Sequence, residues 1–262
     1  MFANLFLLSF VIGSNLIIGI LLGLSGISGF LLPLIYVGVL NMPVHDSLAL
    51  SFLSFSVSGI IGAYSYWKSK NMDLKLALYL SIGSLPGAFL GVQINVMISD
   101  FLAKLLLYIF VLFAGLSILL KKNKKNTNAL NGNSHSKILD HSLMVVLLGF
   151  ITSAICSLTG AGGPILLVPL LASLGINIRV AVGVSLLNSV VIAIPSIFGY
   201  FAHASTLNTP SLIIASLIGT IVGIVTGARF ATKVPIHQLK MAIAIITILS
   251  SVYMLVMLKM GA

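Results

Sequence analysis

Apolar runs of 17 to 23 residues recur along the whole chain, and a run of roughly 20 such residues is what a helix needs to cross the hydrocarbon core of a bilayer. With 59% of 262 residues hydrophobic and 7% charged, a soluble protein of this size would lack a solvated surface. Lipid is therefore the expected solvent, and the chain reads as an all-α, polytopic integral membrane protein. The opening stretch, Met1 to Leu24, lacks a basic flank and a clear small-residue cleavage site and leads directly into further apolar sequence. It is read as mature protein rather than a signal peptide.

One polar stretch, KKNKKNTNALNGNSHSKILD from Lys121 to Asp140, divides the chain near its middle. A shift of 134 positions superposes Gly26 on Gly160, Gly29 on Gly163, Ser51 on Ser185 and Tyr66 on Tyr200; after a two-residue slip, Gly83, Gly87 and Gly91 fall on Gly219, Gly223 and Gly227. This is an internal duplication. The expected organisation is an N-terminal membrane repeat over 1–120, a cytoplasmic polar linker over 121–141 and a C-terminal membrane repeat over 142–262. Each repeat holds five apolar segments: about 2–24, 27–40, 47–67, 74–96 and 101–120, then about 142–158, 162–174, 181–201, 209–230 and 236–258.

The second segment of each repeat is short and follows a glycine-rich break, LSGISG at 24–29 and LTGAGGP at 158–164. Such a segment suits a hairpin with its predecessor. A hairpin returns the chain to its starting side, so each repeat makes an odd number of net crossings and the two repeats are expected to be inverted. With the linker cytoplasmic, that arrangement places 12 Lys and Arg residues inside and 2 outside, Lys104 and Lys259; a parallel arrangement gives 9 and 5. The positive-inside rule favours inversion.

Two glycine breaks equivalently placed in such repeats mark a candidate binding site, because irregular backbone at membrane depth is tolerated around a cavity. A short helix starts after each break, and its unpaired N–H groups and positive dipole end attract an anion without a buried lysine or arginine. The candidate substrate-binding residues are Gly26 and Gly29 with Gly160, Gly162 and Gly163, and the hydroxyl donors Ser25, Ser28 and Thr159. The third segments add a polar stripe: Ser47, Ser51, Ser54 and Ser58 share one helix face, and Ser185, Asn188 and Ser189 occupy the matching region. Asn188 can donate two hydrogen bonds to an oxyanion. The bland alternatives are glycines that let helices pack and serines that bond between helices.

Catalytic and metal signatures are thin. The chain has no Glu, its four aspartates (46, 73, 100, 140) fall in loops or at segment ends, and its five histidines show no metal-ligand spacing. Cys156, the one cysteine, reads as a packing residue. The +10 charge reads as a topology signal, not a nucleic-acid footprint. No enzymatic activity, metal or cofactor is expected.

The segments GLSGISGFLLPLIYVGVL at 23–40, GAGGPILLVPLL at 160–171 and VAVGVSLLNS at 180–189 resemble the sulfite exporter TauE/SafE family, over nearly the whole chain and including the duplicated layout. The resemblance implies a multi-pass inner-membrane permease for small anions, chiefly sulfur oxyanions and organosulfonates such as sulfite or sulfoacetate. Carried across by position, Gly26, Gly29, Gly160, Gly162 and Gly163 match the family's glycine-rich breaks, and Ser51, Ser185 and Asn188 its following polar stretch. At Ile27 and Ser28 this sequence departs from the glycine-richer run common there. The expected function is alternating-access transport, and the expected partners are a small anion, the bilayer, a coupling ion (proton or sodium) and a second copy in a homodimer, with no nucleic acid. The competing class is a non-transporting membrane protein, an assembly factor or intramembrane enzyme, using the same cavity.

Overall fold

The computed structural model describes residues 2–25, 28–120, 141–205, 210–230 and 236–260, and among these the secondary structure is helical throughout. The first repeat contains α1 (Phe2–Ser25), a 3-10 turn (Ser28–Phe30) leading into α2 (Leu31–Gly38), α3 (Val44–Lys68), α4 (Leu74–Met97) and α5 (Asp100–Leu120). The second contains α6 (Ser142–Thr159), α7 (Gly163–Ser173), α8 (Ile178–Ala202), α9 (Pro210–Phe230) and α10 (Ile236–Met260). Every apolar segment expected from sequence corresponds to a helix. The linker expected over 121–141 lies outside the described residues apart from His141.

Eight of these helices are long and apolar enough to cross a membrane, all except α2 and α7. Ser28–Gly38 and Gly163–Ser173 are 11 residues each, about 16 Å of helix against a hydrocarbon core of about 30 Å. Neither spans alone. Asn15, ten residues before the end of α1, bonds through Nδ2 to the Tyr36 hydroxyl, eight residues after Ser28. Only a chain that doubles back at the break brings these two together, so α1 and α2 form a hairpin.

Local chemistry sets the ends. The Asp73 carboxylate caps α4 by accepting from Leu76 N–H at 3.0 Å, and Asn177 caps α8 by accepting from Arg179 N–H at 2.9 Å. α6 stops at Gly160, whose φ of 71° is left-handed, and α7 starts after Gly162, with φ of 68°. Two left-handed residues so close together require glycine or tolerate strain.

The glycine ladders are the principal crossing points. Any side chain at Gly83, Gly87 or Gly91 of α4 would run into the carbonyls of Val146, Phe150 and Ala154 on α6; Gly219, Gly223 and Gly227 of α9 face Ile12, Leu16 and Ile20 on α1 in the same way. The partner residues are themselves related by the 134-position shift. The first helix of each repeat therefore packs, in parallel, on the fourth helix of the other. Close backbone approach of this kind supplies the dispersion contacts that hold helices together in lipid.

α3 and α8 form the centre, and they run antiparallel. At one end the Asp46 carboxylate accepts from Ser205 N–H at 2.8 Å; at the other, Gly183 packs on Tyr66 and the Asn71 carbonyl; midway, Gly59 meets Leu186 and Val190. Their most apolar windows are 61% buried, against 33% for α5 and 22% for α10 at the periphery. Large apolar side chains such as Phe113, Phe198 and Leu249 point outward, as a lipid-facing surface demands.

Candidate functional site

The two glycine breaks meet at one place. A cavity of about 20 Å³ lies between them, with Gly29 and Phe30 on one side, Ala161, Gly162, Pro164 and Ile165 on the other, and Phe55, Ser58, Leu186 and Ser189 of the central helices between. That is room for about one water. The Phe55 ring occupies the middle: a Cβ at Gly29 would sit 2.9 Å from its Cε1 and one at Gly162 3.3 Å from its Cε2. Glycine at both breaks is what allows one aromatic ring to touch both hairpins.

α7 begins at this cavity with Gly162 as N-cap and no side-chain cap, and Pro164 in its first turn. The first N–H groups of a helix have no intrahelical acceptor, so an uncapped start presents donors and a positive dipole end. The start of α2 is similarly free of a side-chain cap. Gly163 is pressed onto α8, where a Cβ would approach the Ser189 hydroxyl to 2.6 Å and the Ser185 carbonyl to 3.2 Å.

The polar residues divide into two groups. Ser51 donates to Ser47 O at 2.7 Å, Thr159 to Ile155 O at 2.7 Å, Ser58 to Phe55 O at 3.0 Å and Ser189 to Ser185 O at 2.9 Å. Their protons are committed to their own helices. In contrast, Ser28 Oγ, Ser185 Oγ and both amide atoms of Asn188 are buried without a hydrogen-bond partner. Each lies near the cavity wall in sequence: Ser28 precedes Gly29, Asn188 precedes Ser189, and Ser185 is one turn before Ser189. Gly26 lies outside the described residues, as does the side chain of Ser25.

The end of the α6 break is fixed by side chains from two other helices. Asn95 Nδ2 donates to Leu158 O at 2.6 Å, Tyr200 OH donates to Ser157 O at 2.7 Å, and the Ser157 and Ser196 hydroxyls bond at 2.6 Å. The first two satisfy carbonyls that the helix end leaves unpaired. From the cavity an aromatic column runs toward the Asp46 end: Phe55 edge-on to Phe52 at 5.5 Å, Phe52 stacked on Tyr200 at 5.9 Å, and Tyr200 stacked on His45 at 6.0 Å.

Sequence reasoning missed Phe55, which as one of 14 phenylalanines carries no signal of its role. It also missed Asn15, although an amide within the apolar run of α1 is a legible anomaly. Asp46 stands at a helix start, as expected, but is fully buried. Among the described residues no group of three or more His, Cys, Asp or Glu is placed to hold a metal.

The family model described as Sulfite exporter TauE/SafE matches residues 11–254. The chain is 25% identical over 234 residues to the probable membrane transporter protein YdhB of Bacillus subtilis, covering 87% of this chain and 91% of that protein. It is 26% identical over 251 residues to a probable membrane transporter protein of Xylella fastidiosa, covering 93% of each. No solved structure gives a significant match. A helical multi-pass membrane fold, two glycine breaks that meet at one cavity and a family match from the first helix to the last place the chain in one family: it belongs to the sulfite exporter TauE/SafE family.

Proposed function

We propose that this chain is a membrane transporter of small anions, with sulfur oxyanions or organosulfonates such as sulfite or sulfoacetate as substrates, working by alternating access. The observation that carries the reading is the set of buried, unpartnered polar groups of Ser28, Ser185 and Asn188, each next in sequence to a residue that lines the cavity, Gly29, Leu186 and Ser189. A buried polar group without a partner costs roughly 1–3 kcal/mol, and such a cost is retained where a ligand meets it. Hydroxyl and amide donors with an uncapped helix start suit an anion, the family's description as a sulfite exporter points the same way, and the relatives' names point to a membrane transporter.

Two inverted repeats supply the mechanism. Equivalent helices α3 and α8 are antiparallel, and each first helix runs parallel to the fourth helix of the other repeat, which supports inversion. The cavity is too small for a four-atom oxyanion, so loading requires the hairpins to part around Phe55. The aromatic column closes the route toward the Asp46 end in this state. Transport then consists of opening the cavity alternately toward the two membrane faces while the donors stay with the hairpins. Gly29, Gly160, Gly162 and Gly163 permit the close approach; Gly26, Ser25, Ser51 and Thr159 belong to the proposed site by their positions in the sequence. The test is anion affinity of purified protein by titration calorimetry across sulfite, sulfate, thiosulfate, sulfonates and small carboxylates. Saturable binding of a sulfur oxyanion or sulfonate supports the reading, and no heat from any of them rejects it.

A further inference from the structure

We infer that the buried oxygen cluster around Asn15 is a sodium site, formed by Asn15 of α1, Tyr36 of α2, Ser54 of α3, and Ser216 and Thr220 of α9. All five side chains are buried. Asn15 Oδ1 receives Thr220 Oγ1 at 3.0 Å, Ser54 Oγ at 3.1 Å and Ser216 Oγ at 3.3 Å, while Ser54 and Ser216 hydroxyls lie 2.9 Å apart. The Tyr36 hydroxyl closes the group on Asn15 Nδ2. An amide oxygen has two lone pairs, yet three hydroxyls converge on this one.

Neutral oxygens gathered from four helices, at membrane depth and without a carboxylate, suit a monovalent cation: they replace its hydration shell but cannot neutralise a divalent charge. Oxygen ligands held about 2.4 Å from a hard cation stand about 3.4 Å from one another in an octahedron. The observed separations are only slightly shorter, so a small ion enters with little spreading, whereas potassium needs the oxygens farther apart. On entry the hydroxyl protons turn to backbone acceptors a turn away, such as Leu50 O, which lies 3.1 Å from Ser54 Oγ.

The duplication makes the site asymmetric. The 134- and 136-position shifts carry Asn15, Tyr36, Ser54, Ser216 and Thr220 to Gly149, Leu170, Asn188, Leu80 and Ser84. The equivalent position keeps one hydroxyl, Ser84, and holds the unpartnered Asn188 amide in the place of Ser54. Leu22, on the cavity wall, is seven residues past Asn15 on α1, about 10 Å along the helix. A cation at Asn15 therefore raises the potential at the anion cavity; this coupling role rests on the transport reading, whereas the ion site does not.

Purified protein is melted in sodium, potassium and choline chloride at equal ionic strength, and binding of radioactive sodium is measured in parallel. Sodium alone is expected to raise Tm and to bind saturably. Thr220→Val and Ser216→Ala, judged folded by their melts in choline, are expected to weaken sodium binding at least tenfold, and Ser84→Ala to leave it unchanged. A wild type with the same Tm in all three salts and no bound sodium overturns the site, whatever the variants do; so does an undiminished response in folded Thr220→Val. Sulfite and sulfonate affinities are read separately in sodium and in choline: anion binding without a sodium response rejects only the cation site, and a sodium response without anion binding in either salt rejects only the anion reading.

Discussion

A side chain at Gly163 would have its Cβ 2.6 Å from the hydroxyl oxygen of Ser189, so the start of α7 is seated directly against α8 beside the cavity. Alanine there forces Ser189 to rotate and shifts the first N–H groups of α7, a local change that the short serine side chain absorbs without unfolding. Gly163→Ala is expected to weaken anion binding by about one to two decades, the size of one lost charge-assisted hydrogen bond. Titration calorimetry on monodisperse protein checks it, and unchanged affinity would show that the donors of α7 are not used.

Asn188 offers a test in which stability and function move in opposite directions. Its amide is buried with neither atom bonded, so Asn188→Leu removes an unmet desolvation cost and keeps the number and branching of the side-chain heavy atoms. Tm is expected to rise, by an amount corresponding to about 1–3 kcal/mol, while anion affinity falls at least tenfold. A lower Tm with unchanged affinity would contradict the assignment.

Glycine substitutions on the ladders separate crossing points from open helix surface. Gly87 and Gly223 face the backbones of Phe150 and Leu16, which cannot move aside, whereas nothing lies within 4 Å of a Cβ at Gly13. Gly87→Ala and Gly223→Ala are each expected to cost about 1–3 kcal/mol or more by overpacking. Gly13→Ala is expected to be neutral or to gain up to about 1 kcal/mol of helix propensity. Equal Tm and folded yield across the three would mean that the ladders do not carry the packing.

Opposed running of α3 and α8 fixes a topology that labelling can read. Ser69 follows the end of α3 and Ser205 the end of α8, and both are exposed. In a Cys156→Ala background, a cysteine at Ser205 is expected to react with an impermeant maleimide from outside intact cells, and one at Ser69 only after permeabilisation. The reverse pattern would invert the assigned orientation; equal reactivity of both from outside would remove the inverted-repeat reading.

Much of the fold was legible because lipid imposes one rule, an apolar helix per crossing, and the duplication allowed each half to check the other. The glycine positions were legible as well: ladders at four-residue spacing became crossings, and the breaks at Gly29 and Gly162 became cavity walls. Hydrogen-bond direction was not legible. Ser51 and Ser185 are equivalent in sequence, yet Ser51 is satisfied by Ser47 O and Ser185 has no partner, a difference set by neighbours that only the folded chain brings together. Phe55 was invisible for the same reason, since its importance lies in touching two hairpins far apart in sequence.

The most direct measurement is uptake of sulfur-35-labelled sulfite, or a labelled organosulfonate, into proteoliposomes carrying the purified protein. The expected result is time-dependent, saturable uptake with the wild type, competed by unlabelled substrate and strongly reduced by Gly163→Ala. Uptake no greater than that of protein-free liposomes, from a folded wild type tested with both substrate classes in either orientation and in sodium as well as proton gradients, would contradict transport of these anions.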